Sequence, residues 1–379
     1  MVGPYPEPGN QVSGGVERVI DTLLPELAGY VDLILIVPGA NLDAESVNHG
    51  VRTIYLKRGP GPGAARYWTI DARRLSQVVE KLAPDIVHLQ GVAGVGRLVA
   101  SPQLLTVHGI VHRDILTSSR GKGWGPLVRL GMAQVMRIVE ASARRRIGHV
   151  ITINPYVREA LPDIGALRTF SIPNPVDPAF LTPLPDTGRP REHRIISIGR
   201  VGPLKNTLGI LRIAAAVMRR NASVSLALYG DTVDGEYKNR CLELIRKEGL
   251  EGRIAIKGNV TSTELSQALD CSSCLIMASR QESAPMAITE AHARGVAVVA
   301  PEAFGIKYMI TPGKNGFFLP AEDLETQADV LRRTLDHDWD RAVIALEAWE
   351  SYSPRNVAVR TLAAYRDVLA ASGARTDTQ

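Results

Sequence analysis

Short apolar runs alternate with helix-like stretches along almost the whole chain. The runs have four to seven residues rich in Val, Ile and Leu, which favours buried strands, whereas the stretches between them have the apolar spacing of helices. This alternation predicts an α/β fold built from parallel sheets with crossover helices on both faces. The runs cover residues 33–37, 52–56, 85–89, 104–108, 150–153, 194–199, 224–230, 253–258, 274–279 and 296–300.

A proline-rich segment divides this pattern near its middle. Residues 173–190 contain six prolines in eighteen positions, and proline interrupts both helices and sheet ladders, so we expect a linker there. The pattern restarts beyond it, which predicts two doubly wound, Rossmann-like domains, 1–176 and 177–350, that face each other across a cleft. We expect the last helix, over residues 353–371, to pack back on the first domain.

The composition is typical of a soluble globular protein, with 45% hydrophobic and 22% charged residues. The apolar runs are too short to span a bilayer and no signal sequence opens the chain, so we expect a cytoplasmic location. The first strand is represented only by its expected end, MVGPYP, which leaves open whether residues precede Met1. A net charge of +5 does not predict a nucleic-acid partner.

Two carboxylates flank the start of a predicted helix in the stretch QESAPMAITEAHARGVAVVAP, residues 281–301. A strand precedes this loop, Pro285 suits the first position of the helix, and Gly295 suits its end. The helix start therefore faces the cleft, where free amides and the helix dipole attract a diphosphate or sugar hydroxyls. Glu290 would accept hydrogen bonds from the ribose hydroxyls, and Glu282 from a hydroxyl of a transferred sugar.

Cations and a glycine pair also occur where a diphosphate would need them. Arg200 and Lys205 follow the strand over 194–199, at the same expected edge as the two glutamates, and could neutralise a leaving diphosphate without a metal. In the first domain, Gly14 and Gly15 precede a helix and allow the backbone to approach phosphate oxygens.

Taken together and in this order, these motifs resemble those of the family 4 retaining glycosyltransferases of GT-B fold, which transfer a sugar from a nucleoside diphosphate sugar. The two-glutamate motif with its AHARGVAVVAP tail is the most specific match. The others are GGVER (14–18), PDIVHLQG (84–91), TVHG (106–109), HVITIN (149–154), IPNPVD (172–177) and SIGRVGPLKN (197–206).

The resemblance implies roles for individual residues. Glu290 would bind the ribose, Glu282 the donor sugar, Arg200 and Lys205 the diphosphate, and the Gly15 amide a phosphate. His108 would lie against the donor sugar near the acceptor and count with Glu282, Arg200 and Lys205 among the catalytic residues. The remaining donor-binding residues would be Gly14, Gly258, Asn259 and Val260, the last three near the base, and Ser283, Ala284, Pro285 and Met286, whose backbone amides face sugar hydroxyls.

The resemblance also implies a UDP-linked donor, retention of the anomeric configuration, and no metal or other cofactor. The acceptor would be a saccharide, a lipid-linked molecule or a small molecule. Three departures from the family pattern bear on the site: Ser283-Ala284-Pro285 stands in place of a glycine-aromatic-glycine, Asn174-Pro175 in place of NG, and Ala303-Phe304-Gly305 in place of a paired glycine.

Other functions fit parts of the sequence. A glycosidase would also use two carboxylates, but Arg200 and Lys205 indicate a phosphate leaving group. A nucleotide-sugar epimerase or a non-catalytic nucleotide-sugar-binding subunit would share the architecture, and both stay open. His108 and His112 could pair on a metal only if HGIVH were helical, and it is predicted as strand followed by loop.

The basic residues are concentrated in the first domain. Residues 112–146 contain eight Lys and Arg against two acids, a net charge of +6. Together with Trp124 and Leu127 they suggest a surface helix on anionic lipid, with Arg144, Arg145 and Arg146 at its end, and an acceptor that is anionic or lipid-linked. This would place the protein peripherally on the inner membrane face. A solvated helix with a soluble acceptor remains the alternative.

Overall fold

The computed structural model describes residues 1–61, 66–117, 125–185, 193–321 and 323–373. They form two compact units, which we call unit 1, Met1–Pro175 with Pro354–Gln379, and unit 2, Val176–Ser353. Both units have parallel sheets and helices in alternation, so the predicted α/β class is confirmed.

Unit 1 contains a parallel sheet with one antiparallel edge strand. Two sets of strands, in the orders β1-β3-β2 and β4-β5-β6-β7, make up this sheet, and only β2 runs antiparallel. The strands are β1 (Ile34–Ala40), β2 (Ala44–Asn48), β3 (Val51–Lys57), β4 (Val87–Gln90), β5 (Gln103–Val107), β6 (His149–Thr152) and β7 (Arg168–Ser171). The helices are α1 (Gly15–Ala28), α2 (Ala72–Leu82), α3 (Ala93–Gly96), α4 (Val111–Thr117), α5 (Pro126–Ile147) and α6 (Pro155–Ala160).

The first three residues of the chain join these two sets of strands. Val2 forms parallel bridges with Leu89 of β4 and with Ile36 of β1. The Val2 amide donates to the His88 carbonyl at 2.8 Å, and the Gly3 amide donates to the Ile36 carbonyl at 3.1 Å. Residues 1–3 therefore occupy the strand position that the sequence predicted for the start of the chain.

Unit 2 is a six-stranded parallel sheet in the order β10-β9-β8-β11-β12-β13. In chain order this is 3-2-1-4-5-6, the doubly wound arrangement of nucleotide-binding sheets. The strands are β8 (Arg194–Ile198), β9 (Ser225–Tyr229), β10 (Ile254–Gly258), β11 (Cys274–Ile276), β12 (Ala297–Pro301) and β13 (Gly316–Leu319). The helices are α7 (Thr207–Arg220), α8 (Gly235–Lys247), α9 (Ser262–Asp270), α10 (Met286–Ala293), α11 (Leu324–Asp336) and α12 (Arg341–Tyr352). The last helix of the chain, α13 (Pro354–Ala371), returns to unit 1 and packs on α1.

Helices cover both faces of this second sheet. Side chains alternate along a strand, so Ile195 and Ile196 of β8 point to opposite faces. Ile195 belongs to a buried cluster with α7, α8 and α11, whereas Ile196 belongs to a separate cluster with α9, α10 and α12. Burial on both faces explains why these strands are apolar throughout rather than alternating.

The start of the predicted linker is part of unit 2. Phe180, in a short 3-10 helix, is completely buried among core residues. The buried Arg294 forms two hydrogen bonds with Asp270, both 2.9 Å long, and also donates to the Thr182 carbonyl. A linker is therefore the wrong description for residues 176–182, because Val176 and Phe180 are buried in the unit 2 core and Arg294 bonds to Thr182. Residues 186–192 lie outside the described residues.

Helix α5 carries much of the basic segment, and one of its arginines is not available to a partner. Arg144 is 3% exposed and is paired with Asp163 at 2.8 Å and with Glu140 at 3.7 Å. The expectation that it lies on a lipid surface is therefore wrong, because two carboxylates fix it inside unit 1. Arg120, Lys122 and Trp124 lie outside the described residues. No helix in the described part of the chain is both long and apolar enough to cross a bilayer.

Candidate functional site

The centre of the unit 2 sheet offers a ready crevice. Strands β8 and β11 are neighbours. From β8 the chain continues to β9 on one side of the pair, and from β11 it continues to β12 on the other side, so the strand order reverses between them. Ligands of open α/β sheets bind at this point, beyond the carboxyl ends of the strands. The loops there, residues 199–206 and 277–285, contain Arg200, Lys205 and Glu282.

Two glycines let the chain turn tightly at strand ends, Gly199 after β8 and Gly230 after β9. Gly199 and Gly230 have φ values of +140° and +131°, which side chains rarely adopt. A Cβ on Gly230 would lie 2.4 Å from the Gly199 carbonyl oxygen, so the loops after β8 and β9 touch through bare backbone. A Cβ on Gly199 would lie 3.0 Å from Cε of Lys205, so the lysine stem crosses directly over this glycine.

Lys205 and Glu282, predicted to bind different parts of one ligand, are bonded to each other. The Lys205 Nζ donates to Glu282 Oε1, and both side chains are largely buried. The loops are also joined by backbone, because the Arg280 amide donates to the Leu204 carbonyl at 2.9 Å. Arg200, directly after Gly199 in the first of these loops, is exposed. The structure therefore brings Lys205 and Glu282 together at the carboxyl edge of the sheet and places Arg200 in the loop that carries Lys205.

Helix α10 places the second glutamate below the crevice. The helix begins at Met286, and Pro285 is its N-cap rather than its first residue as the sequence suggested. Glu290, the fifth residue of this helix, is only 2% exposed and has a polar or electrostatic interaction within the protein. A ribose would have to replace that interaction. The alanines at positions 287, 291 and 293 are buried and pack the helix closely on unit 2.

The loop before α10 is held from a neighbouring turn. The Gly305 amide donates to the Glu282 carbonyl at 3.0 Å, which fixes the backbone that carries this carboxylate. Phe304 has φ +54° and lies in Ala303-Phe304-Gly305, the stretch that stands in place of the paired glycine of the family pattern. Ser283 and Met286 are partly exposed, Pro285 is buried, and Ala284 packs against the core.

The predicted base-binding residues follow the outer strand β10. Gly258 has φ +73°, and its carbonyl accepts a hydrogen bond from the Gly230 amide at 2.8 Å, so this loop is linked to the loop after β9. Asn259 is exposed, whereas Val260 packs partly against the core. Thr261 then caps α9 through a hydrogen bond with the Glu264 amide. All three residues are at the carboxyl edge of the sheet.

In unit 1, the glycine pair begins helix α1, and a carboxylate already caps it. Glu17 Oε2 accepts hydrogen bonds from the amides of Ser13, at 2.9 Å, and Gly14, at 3.0 Å. A Cβ on Gly15 would meet nothing within 4 Å, so the space beside this residue is open. A phosphate approaching this helix start would meet the charge of Glu17 as well as the helix dipole. Glu17 is the glutamate of the motif GGVER, but the motif did not reveal that its carboxylate accepts from these amides.

His108 follows β5 and is held by a glutamine that the sequence analysis did not single out. Its Nε2 lies 2.7 Å from Oε1 of Gln90, the last residue of β4. Burial lowers the pKa of His108 to about 4, an effect that a hydrogen bond with Asn174 opposes. The ring is therefore neutral at pH 7, and because Gln90 Oε1 can only accept, Nε2 carries the proton. The sequence signal for this contact was the polar Gln90 at the end of a strand, in the motif HLQG.

A second histidine continues this polar contact into the core. His88 Nε2 lies 2.7 Å from the Thr106 hydroxyl, and its Nδ1 lies 2.7 Å from the hydroxyl of Tyr365 on α13. Gln90 Nε2 lies 3.4 Å from His88 Nε2. Burial lowers the pKa of His88 to about 3. The side chains of four elements, β4, β5, α13 and the loop after β5, therefore form one buried polar network ending at His108.

His108 and His112 could pair on a metal only if both lay on one helix. His112 lies in α4, whereas His108 precedes that helix, so the two are not on one helical face. In the described ranges, no group of three or more His, Cys, Asp or Glu side chains is placed to hold a metal ion.

Two family models match the chain, one on each side of its middle. The Glycosyltransferase Family 4 model matches residues 13–180, and the Glycosyl transferases group 1 model matches residues 186–351. Among curated proteins, a D-inositol 3-phosphate glycosyltransferase from Nocardioides sp. is 27% identical over 45% of this chain and 41% of its own length. The match therefore spans less than half of that relative. A GDP-mannose-dependent alpha-mannosyltransferase from Mycobacterium tuberculosis is 22% identical, over 89% of this chain and 87% of its own.

Solved structures agree in fold over the whole chain. Sucrose-phosphate synthase from Thermosynechococcus elongatus superposes with a TM-score of 0.76 at 18% identity, covering 98% of both chains. Anabaena HepE in complex with UDP and glucose superposes with a TM-score of 0.71 at 17% identity, covering 96% of this chain and 98% of that one.

Proposed function

This chain belongs to the family 4 glycosyltransferases of GT-B fold, and we propose that it transfers a sugar from a nucleoside diphosphate sugar to an acceptor hydroxyl. The observation that carries this proposal is the contact between Lys205 and Glu282, which joins the loops after β8 and β11 at the carboxyl edge of the unit 2 sheet. Unit 2 is the donor-binding domain in this proposal, and unit 1 holds the acceptor.

In this proposal, Lys205 and Arg200 stabilise the diphosphate as it leaves the sugar. As the bond between the sugar and the diphosphate breaks, negative charge grows on the leaving phosphate. Lys205 and Arg200 supply two positive charges where that charge develops, and the N-terminal amides of α10 add the positive end of a helix dipole. We propose that these groups stabilise the leaving group without a divalent cation. Turnover that is abolished by EDTA and restored by magnesium or manganese would refute this.

The hydrogen-bonding groups give the donor its orientation. Glu290 binds the ribose hydroxyls, Glu282 binds a sugar hydroxyl, and the amides from Ser283 to Met286 face the sugar. The Gly15 amide contacts a phosphate. Gly258, Asn259 and Val260 lie near the base, which we propose to be uracil because a solved structure of the same fold, HepE, contains UDP and glucose. The mannosyltransferase relative is named for GDP-mannose, so both nucleotides belong in the assay.

We propose that the donor configuration is retained through same-face attack, with the departing phosphate oxygen accepting the acceptor proton. Inversion would need a base on the opposite face, and His108 is the candidate that the sequence offers for this role. A histidine whose pKa is lowered to about 4 is a weak base at neutral pH, which favours retention. Proton NMR of the first-formed product measures the anomeric coupling and decides between the two outcomes.

The proposed acceptor is anionic or lipid-linked, and the protein is proposed to contact an anionic membrane peripherally. The positive charge of α5, five arginines against one glutamate, supports this. The relative from Nocardioides is named for an inositol phosphate, an anionic acceptor. A soluble glycoside acceptor is the alternative outcome.

One experiment separates the enzyme classes. The protein is incubated with radiolabelled UDP- and GDP-sugars, with and without an extract that contains acceptors. Label that moves to a new product only with extract supports the transferase. Altered sugar nucleotide formed without extract would identify an epimerase, and binding without any turnover would identify a non-catalytic subunit.

A further inference from the structure

A cavity on unit 1 is lined by residues that have no role in the proposed transfer. It has a volume of about 470 Å³ and lies between the short π-helix Tyr67–Asp71, the segment after α3, and the second half of α5. Its walls are mainly apolar, and two guanidinium groups reach it. The apolar walls come from Trp68, Leu98, Ile138 and Val139, and the guanidinium groups from Arg97 and Arg146.

This cavity shares no lining residue with the site that His108 and Gln90 form. Arg146 is next to the end of α5, three residues before β6 begins at His149. Arg97 and Leu98 lie in the connection between α3 and β5, and Trp68 lies in the π-helix that leads into α2. The cavity is therefore lined by helices and connections that cover the sheet, not by β4 or the loop after β5.

An exposed apolar face of α5 runs up to this cavity. Leu127 is 84% exposed, Val128 56%, Val135 54% and Ile138 67%, which is unusual for aliphatic side chains on one helix. At about 100° per residue, these four side chains lie within an arc of roughly 100° around the helix axis. Ile138 belongs both to this face and to the wall of the cavity.

The charges on the same arc are all positive. Arg145 and Arg146 fall on it by the same helical spacing, while Glu140, the only acid of α5, lies on the opposite side with the buried Arg144. In the cavity wall, the Nε of Arg97 is buried and has no hydrogen-bond partner in the described part of the chain. An orphaned donor of this kind is unfavourable unless a ligand accepts from it.

We propose that the cavity binds the phosphate group of an anionic phospholipid while the exposed face of α5 lies in the membrane interface. Guanidinium groups donate paired hydrogen bonds to phosphate oxygens, so Arg97 and Arg146 suit such a headgroup. The indole of Trp68 suits the interfacial depth, and the four aliphatic side chains of α5 enter the acyl region. This inference rests on the membrane contact in the proposed function and assigns it to a defined surface.

Vesicle sedimentation tests the assignment with the full-length protein. The vesicles consist of phosphatidylcholine alone or with a minority of phosphatidylglycerol, at low and at high salt. Wild type is expected to sediment with the anionic vesicles at low salt and to stay in solution with the neutral ones. Because each arginine near an anionic surface strengthens binding several-fold, Arg97→Gln with Arg146→Gln should weaken it about thirtyfold. Leu127→Ser with Ile138→Ser, at two exposed positions, should also release the protein.

The control removes the same charge elsewhere on unit 1. Arg73→Gln with Arg360→Gln changes two exposed arginines of unit 1 outside α5 and the cavity and should bind anionic vesicles within about twofold of wild type. Equal losses in the two arginine doubles would overturn the pocket, and wild type that ignores anionic vesicles would overturn the lipid surface. Complete competition by soluble glycerol phosphate, with the Ser double still bound, would mark a soluble-anion site instead.

Two further measurements keep this inference apart from the enzyme activity. Calorimetry with UDP should give the same affinity for wild type and for both surface doubles, because neither changes the crevice of unit 2. If vesicle binding fails while UDP binds, the lipid assignment is wrong and the transferase proposal stands. Light scattering tests whether a second copy of the chain occupies this face instead. Wild-type dimers that become monomers in Leu127→Ser with Ile138→Ser would also overturn the lipid assignment.

Discussion

Lys205 and Glu282 form an ion pair between the two loops that follow the central strands β8 and β11 of unit 2. Each belongs to a different ligand group in the proposed complex, the lysine to the diphosphate and the glutamate to the sugar. The pair joins the two loops at the carboxyl edge of the sheet. In the proposed complex, binding of the donor would therefore exchange this ion pair for contacts of each side chain with the ligand.

This exchange predicts opposite effects for the two glutamates. Glu290→Ala should weaken the binding of bare UDP by on the order of 1.5–3 kcal/mol, because a charged acceptor for the ribose is lost. Glu282→Ala should leave UDP binding unchanged or stronger, since Lys205 becomes available to the diphosphate, but should lower the transfer rate. Isothermal calorimetry with UDP and a transfer assay measure the two quantities. Glu243→Ala, at an exposed position on α8, is the control. Equal losses of UDP affinity in both variants contradict this division of roles.

Gln90 is predicted to act as a positioning residue for His108. Gln90→Leu removes the acceptor at 2.7 Å from His108 Nε2, so the ring loses the contact that fixes its orientation for the proposed role at the donor sugar. We expect kcat to fall about tenfold while the donor KM changes little, because a misplaced group affects the transition state more than ground-state binding. Steady-state kinetics on the purified variant provides the measurement.

Gln90→Glu distinguishes this role from a structural one. A carboxylate next to His108 favours the imidazolium and raises the pKa of the histidine, so the pH profile of kcat should shift. A purely structural role would change the unfolding midpoint without any shift in that profile. Gln90→Leu with an unchanged kcat would show that the hydrogen bond does not matter for turnover.

The fold could be predicted from sequence because its signals are local and repeated. The central strands β11 and β12 of unit 2 are buried on both faces and are therefore apolar, as in β12, where Val298 and Val299 enter different cores. The short linker was the error. Phe180 was predicted to be part of a proline-rich connection, but it is buried in a cluster with Ile288 and Ala291, more than a hundred residues away, and no local pattern reveals such a contact.

The candidate site was only partly predictable for the same reason. The positions of Arg200, Lys205 and Glu282 at strand ends follow from the alternation, because parallel strands share one carboxyl edge. That Lys205 bonds to Glu282, or that Glu17 occupies the amides at Ser13 and Gly14, depends on side-chain directions that spacing does not specify. Gln90 was overlooked because, from sequence alone, a glutamine at the end of an apolar strand cannot be told from one that begins a solvent-exposed loop.

Two buried histidines predict how stability depends on pH. Burial lowers the pKa of His88 to about 3 and that of His292 to about 4, from an ordinary value of 6.5. The unfolded chain therefore takes up these protons at a higher pH than the folded one. Stability is fully present above about pH 6.5 and falls as the pH drops toward 4, by about 1.4 kcal/mol per pH unit for each histidine.

Urea unfolding at about pH 7 and about pH 5 measures this dependence. His292→Gln keeps a donor for the Asn315 carbonyl, which the histidine ring contacts at 3.1 Å, and does not titrate. Its stability should therefore vary less with pH than that of wild type. An equal pH dependence in the variant would show that His292 is not one of the groups responsible.

Gly295 is predicted to tolerate no side chain, and this accounts for the glycine in the motif AHARG. The residue has φ +64°, and a Cβ there would lie 2.4 Å from the carbonyl oxygen of Arg341. That oxygen is backbone and cannot swing away, since the Arg341 side chain also donates to the Gly295 carbonyl at 3.0 Å. Gly295→Ala should therefore lower the free energy of unfolding by about 3 kcal/mol, the sum of left-handed strain and a steric clash.

Gly252→Ala is the matched control, because Gly252 also has a positive φ, +86°, but a Cβ there meets nothing within 4 Å. It should lose only about 1 kcal/mol from the backbone conformation. Denaturant unfolding of both variants measures the difference, and equal losses would show that the contact with Arg341 contributes nothing.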